Sequence, residues 1–242
     1  MNEAYRAIAG GAILYDASLS SQAGDEWFEP DWWRDQTRVT GEAGGRGRVL
    51  FLQPVDRPDG EQWVLRRFRR GGIVRHLVER HYLWLGEART RGFAEWRMLA
   101  RLHAAGLPVP RPVAARYRRA AGLTYTAELI TQRLPDSRTL RELYTDDEVP
   151  AEIWPRVGAV VRRMHEAGAF HPDLNAGNLL VTADQRVFIV DFDQGRLLPP
   201  GRWQARNLAR LQRSLQKTAL QGGRDALLSE HWQALLRGYR EG

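Results

Sequence analysis

His171-Pro172-Asp173-Leu174-Asn175-Ala176-Gly177-Asn178, followed at the end of the next apolar run by Asp191-Phe192-Asp193, decides how the rest of the chain is read. Between the two motifs lie Asn178-Leu179-Leu180-Val181 and Val187-Phe188-Ile189-Val190, joined by Thr182-Ala183-Asp184-Gln185-Arg186. Two short apolar runs with β-branched residues around a polar loop predict an antiparallel hairpin. Counting back from the loop brings Asn178 and Asp191 to the same open end, at the spacing of cross-strand neighbours, roughly 5 Å. An amide oxygen and a carboxylate there suit Mg²⁺, a hard cation that completes its octahedron with phosphate and water. Asp173 stands just before the first strand in a turn rich in Asn and Gly, so its carboxylate reaches the same end and is the candidate base. Taken singly, Asp173 and Asn175 are ordinary turn formers, since both side chains bond their own backbone in loops. The joint spacing of His171, Asp173, Asn178 and Asp191 around one hairpin points instead to phosphoryl transfer from a nucleotide.

Upstream, the pattern divides the chain near residue 130. The first part, 1–130, is strand-rich: Ala12-Ile13-Leu14-Tyr15, Arg48-Val49-Leu50-Phe51-Leu52, Gln62-Trp63-Val64-Leu65-Arg66 and Thr124-Tyr125-Thr126-Ala127-Glu128-Leu129-Ile130 are β-prone runs bounded by Gly, Pro or Asp. One helix interrupts them over residues 90–105, where Phe93, Trp96, Met98, Leu99 and Leu102 recur at spacings of three and four. Gly106 and Pro108 end it. The second part, 131–242, is mainly helical. Asp136 or Ser137 is expected to cap a brief helix through Leu143. A stronger helix over 151–167 carries Ile153, Val157, Val160, Val161 and Met164 on one face and stops at Gly168. A further helix has Leu208, Leu211 and Leu215 on one side and Arg206, Arg210, Arg213 and Lys217 on the other, and a last one spans 227–239. The expected organisation is two lobes with a ligand cleft between them.

The chain has 242 residues and no cysteine, which removes disulfides, thiolate metal sites and cysteine nucleophiles from consideration. Its start lacks a basic segment followed by an apolar core, so no signal peptide is expected, and no apolar run reaches the length of about 18 residues that a membrane span requires. A net charge of +7 implies an anionic partner: nucleotide, nucleic acid or acidic lipid surface. Lys217 is the only lysine among 36 basic residues. Guanidinium is the better bidentate partner for phosphate, and a biased genome composition produces the same excess.

Gly41-Glu42-Ala43-Gly44-Gly45-Arg46-Gly47-Arg48 runs straight into a strand. Closely spaced glycines let backbone N–H groups approach phosphate oxygens, although a glycine-rich hairpin turn looks the same. No Gly-Lys-Ser/Thr follows, so this is not a Walker loop. In Trp63-Val64-Leu65-Arg66-Arg67-Phe68-Arg69-Arg70, alternation sets Val64 and Arg66 on one face of the strand. Arg66 is assigned a phosphate role, with Glu95 on the single N-terminal helix as its partner, while Arg69 and Arg70 are read as a solvated basic edge.

Together these parts resemble the protein-kinase-like fold. The first motif resembles the catalytic loop H-R-D-L-x-x-x-N and the second the metal-binding D-F-G. The resemblance implies an α+β, two-lobed fold with an antiparallel-sheet N-lobe, one N-lobe helix and a mainly helical C-lobe. It implies Asp173 as catalytic base, Asn178 and Asp191 as Mg²⁺ ligands, Gly44, Gly45 and Gly47 as part of the phosphate-covering loop, and Glu95 in the place of the helix αC glutamate. Backbone at residues 131–134 would contact adenine. Asp193 replaces the final glycine of D-F-G and no A-P-E follows, which argues against a eukaryotic-type protein kinase. No lysine precedes the catalytic loop, so Arg66 is the positional replacement for the phosphate-positioning lysine.

Within that fold the chain resembles the lipopolysaccharide-core sugar kinases that act on 3-deoxy-D-manno-octulosonic acid (Kdo), relatives of the inner-core heptose kinases. The segments that carry this are Val64-Leu65-Arg66 through Arg69-Arg70-Gly71-Gly72, Tyr82-Leu83-Trp84-Leu85-Gly86, Thr90-Arg91-Gly92-Phe93-Ala94-Glu95, Leu107-Pro108-Val109-Pro110-Arg111-Pro112, and Arg206-Asn207-Leu208-Ala209-Arg210-Leu211 through Ser214-Leu215. The resemblance also takes in Trp27, Phe28, Trp32 and Trp33. It implies an alcohol-group phosphotransferase that moves the γ-phosphoryl of ATP, with Mg²⁺, to the 4-hydroxyl of Kdo on a Kdo-bearing lipid A precursor. The implied place is the cytoplasmic side of the cell inner membrane, as a peripheral protein on an anionic surface, with no nucleic acid as partner. The aromatics at 27–33 would serve the lipid interface or, as for most of the nine tryptophans, the core. A heptose kinase, another small-molecule kinase, or a nucleotide-binding pseudokinase would share the motifs.

Overall fold

In a computed structural model that describes residues 1–43, 49–55, 60–68, 81–120, 123–221 and 225–242, the chain divides into two compact units. One comprises Met1–Ala100 and Arg111–Arg133; the other comprises Arg101–Pro110 and Leu134–Gly242.

The first unit is built on an antiparallel sheet. Its strands are β1 (Glu3–Ile8), β2 (Gly11–Asp16), β3 (Val39–Ala43), β4 (Val49–Leu52), β5 (Trp63–Arg67), β6 (Tyr82–Leu83), β7 (Pro112–Ala120) and β8 (Thr124–Gln132), in the order β1-β2-β7-β8-β5-β4-β3, with β6 also pairing β8. Alternation explains which face is covered: Leu50, Leu52, Trp63 and Leu65 are buried, and Val49, Phe51, Val64 and Arg66 are only partly so. Ile13, Val113 and Ile130 join that core, and so do Phe28 and Trp33.

Phe28 and Trp33 belong to a turn of 3₁₀ helix, Asp25–Phe28, and to the short helix α1 (Pro30–Asp35), which starts at a proline whose missing N–H is harmless at that position. Trp27 and Trp33 lie 5.0 and 6.3 Å, ring to ring, from Trp63. Phe28 and Trp33 thus serve the core, while Trp27 and Trp32 are only partly buried against it. Each fully buried ring stabilises this unit by about 1.5–3 kcal/mol. The same segment is tied down electrostatically by Arg116 of β7, which is 3% exposed and reaches Asp25, Glu29 and its cross-strand neighbour Glu128 at 2.8, 2.7 and 3.2 Å.

Helix α2 (Arg91–Ala104) buries Phe93, Trp96, Leu99 and Leu102, as its periodicity predicts. It stops in a Schellman arrangement: Leu107 N–H donates to Leu102 O at 3.0 Å, Gly106 N–H to His103 O at 2.9 Å, and Gly106 takes φ +73°.

The second unit carries β9 (Ser137–Thr139), α3 (Leu140–Asp146), α4 (Ile153–Glu166), β10 (Ala169–Phe170), β11 (Leu179–Thr182), β12 (Val187–Ile189), β13 (Arg196–Leu197), α5 (Arg202–Gln221) and α6 (Asp225–Glu241). The N-cap of α3 differs from expectation. Ser137 and Thr139 pair with β11, so the chain is still extended there, and Thr139 forms a capping box with Glu142 through bonds of 3.0 and 2.9 Å. Helices α4 and α6 cross with their backbones in contact. A Cβ added at Gly158 would stand 2.0 Å from the Leu235 carbonyl oxygen, and one at Gly238 the same distance from that of Pro155. Such an approach requires glycine at both places.

Candidate active site

The hairpin predicted between the two motifs is present, with Leu179, Leu180 and Val181 opposite Ile189, Phe188 and Val187. Its loop is shorter than the five residues counted from the sequence. Thr182 and Arg186 close it with a backbone bond of 3.0 Å, leaving Ala183, Asp184 and Gln185, the last at φ +61°, as a three-residue turn. That register sets Asn178 opposite Val190, whose N–H donates to Asn178 O at 3.0 Å. Asp191 follows one residue beyond, so Asn178 and Asp191 share an end of the hairpin without being direct cross-strand partners. Asp191 adopts φ +66°, a left-handed conformation that Asp tolerates better than most residues, and it turns the chain away from the strand at the candidate ligand.

The loop before the hairpin is fixed from inside. His171, Leu174 and Ala176 are buried, while the Asp173 side chain is 55% exposed. His171 links the two motifs: its Nε2 lies 3.0 Å from Val190 O, and its Nδ1 accepts the Asp173 N–H at 3.1 Å. A carbonyl can only accept and an amide N–H only donate, so the ring is the neutral tautomer with its proton on Nε2. Burial pushes the His171 pKa down, against the pull of the Val190 carbonyl, in keeping with that neutral form. The Phe192 ring, fully buried, packs 4.7 Å from it.

Around Asp173 the polar groups converge. Its carbonyl oxygen accepts from Asn175 Nδ2 and from Asn178 Nδ2, both at 2.9 Å. Asn175 Oδ1 in turn accepts Gly177 N–H at 2.8 Å and Arg141 Nη2 at 3.1 Å. Since the amide nitrogen of Asn178 faces a carbonyl, its Oδ1 is turned the other way and is the atom that could accept a cation. That amide oxygen and the Asp191 carboxylate are both hard oxygen donors, of the kind Mg²⁺ takes. Among the described residues no three His, Asp or Glu side chains group into a complete cation site, so remaining oxygens would come from phosphate and water.

Three contacts to this loop come from α5. Asn207 Nδ2 donates to His171 O at 2.8 Å and its Oδ1 accepts His171 N–H at 3.3 Å. Arg210 donates through both Nε, at 3.0 Å, and Nη2 to Asp173 Oδ1. Ser214 Oγ accepts Ala176 N–H at 3.1 Å. Periodicity put Arg210 on a polar helix face and gave it no role; its partner is 37 residues away, and no local signal joins them.

The first unit contains the other assigned residues. Arg66 pairs through Nη2 with Glu95 of α2, whose carboxylate is nearly buried, and stacks its guanidinium over Phe68 at 4.6 Å. Arg66 stands directly opposite Val49, the first strand residue after the glycine-rich segment. Gly44, Gly45 and Gly47 themselves lie outside the described residues, as do Arg69 and Arg70.

The family model described as Lipopolysaccharide kinase (Kdo/WaaP) family matches residues 30–239. A 3-deoxy-D-manno-octulosonic acid kinase of Xanthomonas campestris pv. campestris (strain B100) is 44% identical over 215 residues, 88% of this chain and 83% of that protein. The kinases of the same name from Vibrio parahaemolyticus serotype O3:K6 (strain RIMD 2210633) and Actinobacillus succinogenes (strain ATCC 55618) are 38% and 37% identical, covering 86% and 94% of this chain and 85% and 95% of theirs. Among solved structures, WaaP in complex with acyl carrier protein is similar at 20% identity and a TM-score of 0.49, over 88% of this chain and 95% of that one. A glucosamine kinase is similar at 14% identity and a TM-score of 0.48, over 93% and 86%. With a family match over most of its length and relatives 37–44% identical over the stretches they share, this chain belongs to the lipopolysaccharide kinase (Kdo/WaaP) family.

Proposed function

We propose that this chain transfers the γ-phosphoryl group of ATP to the 4-hydroxyl of a Kdo residue on a Kdo-bearing lipid A precursor. The acceptor is supported by the 44% identity to a named Kdo kinase over 88% of the chain. The reaction is supported by one observation above the others: an exposed Asp173 carboxylate whose own backbone N–H and carbonyl are both engaged, on a loop joined through His171 to Val190, the residue before Asp191.

In the reaction the acceptor oxygen bonds to the γ-phosphorus as the bond to the departing ADP oxygen breaks. Asp173 orients the acceptor hydroxyl and receives its proton, and the fixed loop supplies the positioning on which phosphoryl transfer mostly depends. Asn178 Oδ1 and the Asp191 carboxylate would hold Mg²⁺, which supplies charge neutralisation on the phosphates. Arg66, kept in place by Glu95 and Phe68, carries the cation that a lysine provides in related catalytic sites.

A lipid-anchored acceptor places the work at a membrane surface. No helix among the described residues is long and apolar enough to cross a membrane, and the net charge of +7 favours an anionic one. We assign the protein a peripheral position on the cytoplasmic side of the inner membrane, which co-sedimentation with vesicles containing anionic lipid tests.

The functional test is direct. Purified protein with ATP and Mg²⁺ is offered a Kdo-lipid A precursor and, separately, a heptosylated core, and the product is analysed by mass spectrometry and phosphorus NMR. Phosphate on O4 of Kdo is the expected outcome. Phosphate on heptose instead would make this a heptose kinase, and nucleotide binding without turnover on either acceptor would make it a pseudokinase. Asp173→Ala should abolish turnover and leave ATP binding intact.

A further inference from the structure

Helix α5 presents Asn207, Arg210 and Ser214 at spacings of three and four, which lie along one face of a helix. They meet the catalytic loop at its start, its middle and its end: Asn207 brackets His171, Arg210 reaches Asp173, and Ser214 takes the Ala176 N–H. On and beside this face Trp203, Leu211 and Leu215 are buried, so the helix is a fixed support.

The Arg210 contact is of a different kind from its neighbours. Asn207 and Ser214 satisfy backbone groups that would otherwise be orphaned, and the loop is already anchored by buried Leu174 and Ala176. The Arg210–Asp173 pair is about half exposed on both sides, 46% and 55%, and exposed ion pairs add little to folding. Its geometry, however, is specific. Both guanidinium donors go to one oxygen, Oδ1, which anchors that oxygen and leaves Oδ2 for another donor.

We infer that Arg210 is a positioning residue for phosphoryl transfer: by holding Asp173 through Oδ1 it aims Oδ2 at the acceptor hydroxyl. This rests on the reading of Asp173 as the base of a sugar kinase. Without the fork the carboxylate is free to rotate about its side-chain bonds, and the aligned fraction falls. A misplacement of about 1 Å of a reacting group lowers turnover by as much as about 10²-fold.

The test compares wild type with Arg210→Met, Arg210→Lys and Arg210→Ala on whichever acceptor wild type phosphorylates. Arg213→Met, on the same helix and outside the loop contacts, is the control. Arg210→Met should lose kcat on the order of 10²-fold with KM for ATP unchanged. Arg210→Lys, which keeps the charge and lacks the fork, should recover only part of it. Millimolar methylguanidinium should raise kcat of Arg210→Ala and leave wild type unaffected, a response that a merely structural role does not give. All variants should melt within about 4 °C of wild type, since the pair is exposed. Wild-type kcat in Arg210→Met, or a loss that methylguanidinium leaves untouched, overturns the inference alone. A wild type inert on both acceptors overturns the kinase reading and the role given to Arg210 with it.

Discussion

Acid should loosen the helical unit through His165, and the size of the effect can be worked out. His165 lies on α4, 1% exposed, with its ring edge-on to Trp203 of α5 at 5.1 Å and to Tyr239 of α6 at 5.6 Å. Its Nδ1 is 2.8 Å from the Tyr239 hydroxyl. Burial pushes its pKa down from 6.5 to about 4. In the unfolded chain the ring regains its ordinary value, so between those two values the unfolded state binds a proton that the folded state refuses. Stability from this group is therefore complete above pH 6.5 and is lost as pH falls towards about 4, at about 1.36 kcal/mol per pH unit. From about pH 6.5 to pH 4.5 the loss is roughly 2 kcal/mol.

The assay is urea unfolding followed by circular dichroism at several pH values, for wild type and His165→Gln, with the slope m checked for constancy. The informative quantity is the gap between the two proteins, because His165→Gln carries its own packing change at every pH. His171 and His231 are also pushed down by burial, titrate in the same direction and remain in both proteins. Asp16 sits at about 2 despite its burial, because Ser18, Asn2 and Arg111 donate to it, and so it contributes only below the window. The stability advantage of wild type should shrink by roughly 2 kcal/mol across the window. A gap that stays constant with pH refutes the reasoning.

Other outcomes follow from single contacts. Gly158→Ala puts a methyl group 2.0 Å from the Leu235 carbonyl and forces α4 and α6 apart, so urea unfolding should show a loss of about 1–3 kcal/mol or more. Thr139→Ala removes the capping box of α3 and should cost about 1 kcal/mol, read as a melting temperature about 2–4 °C lower. Asn178→Ala removes the oxygen assigned to Mg²⁺ and should raise the Mg²⁺ concentration needed for half-maximal turnover; an unchanged Mg²⁺ titration would remove Asn178 from the ligand set.

What the sequence revealed was local. Helices α2 and α4 and the β11–β12 hairpin follow from apolar spacing and from stop signals within a few residues of each element, and the structure contains them near the expected bounds. The Arg66–Glu95 pair was accessible because both residues sit on regular elements whose faces can be counted. Three features escaped, each for a physical reason. Strand β1 alternates half-buried with exposed positions and has no apolar run to announce it. Thr139 rather than Asp136 or Ser137 caps α3 because β9 pairs with β11, a choice made 40 or so residues along the chain. Arg116 reads as one more surface arginine, and its burial depends on Asp25 and Glu29, far earlier in the sequence.

The geometry of the motif favours the sequence-based choice of Asp173, over its neighbour His171, as the proton acceptor. Histidine is the commoner general base, and His171 stands two positions from Asp173. Its lone pair at Nδ1, however, is occupied by the Asp173 N–H, and its Nε2–H by the Val190 carbonyl. It is also fully buried, and burial drives it further from the charged form that proton transfer would create. A base must present an open lone pair to the substrate, and His171 presents none. Asp173 does, through Oδ2, with its carbonyl, its N–H and its Oδ1 all engaged elsewhere. The histidine is then required for a reason other than proton transfer: a rigid ring with a donor on one edge and an acceptor on the other spans the gap between the loop and the strand end. A substitute such as His171→Phe would keep the packing against Phe192 and break both links. Loss of turnover in that variant, with folding largely retained, is the signature of a spacer, and a pH–rate profile of wild type should accordingly report no group with the character of His171.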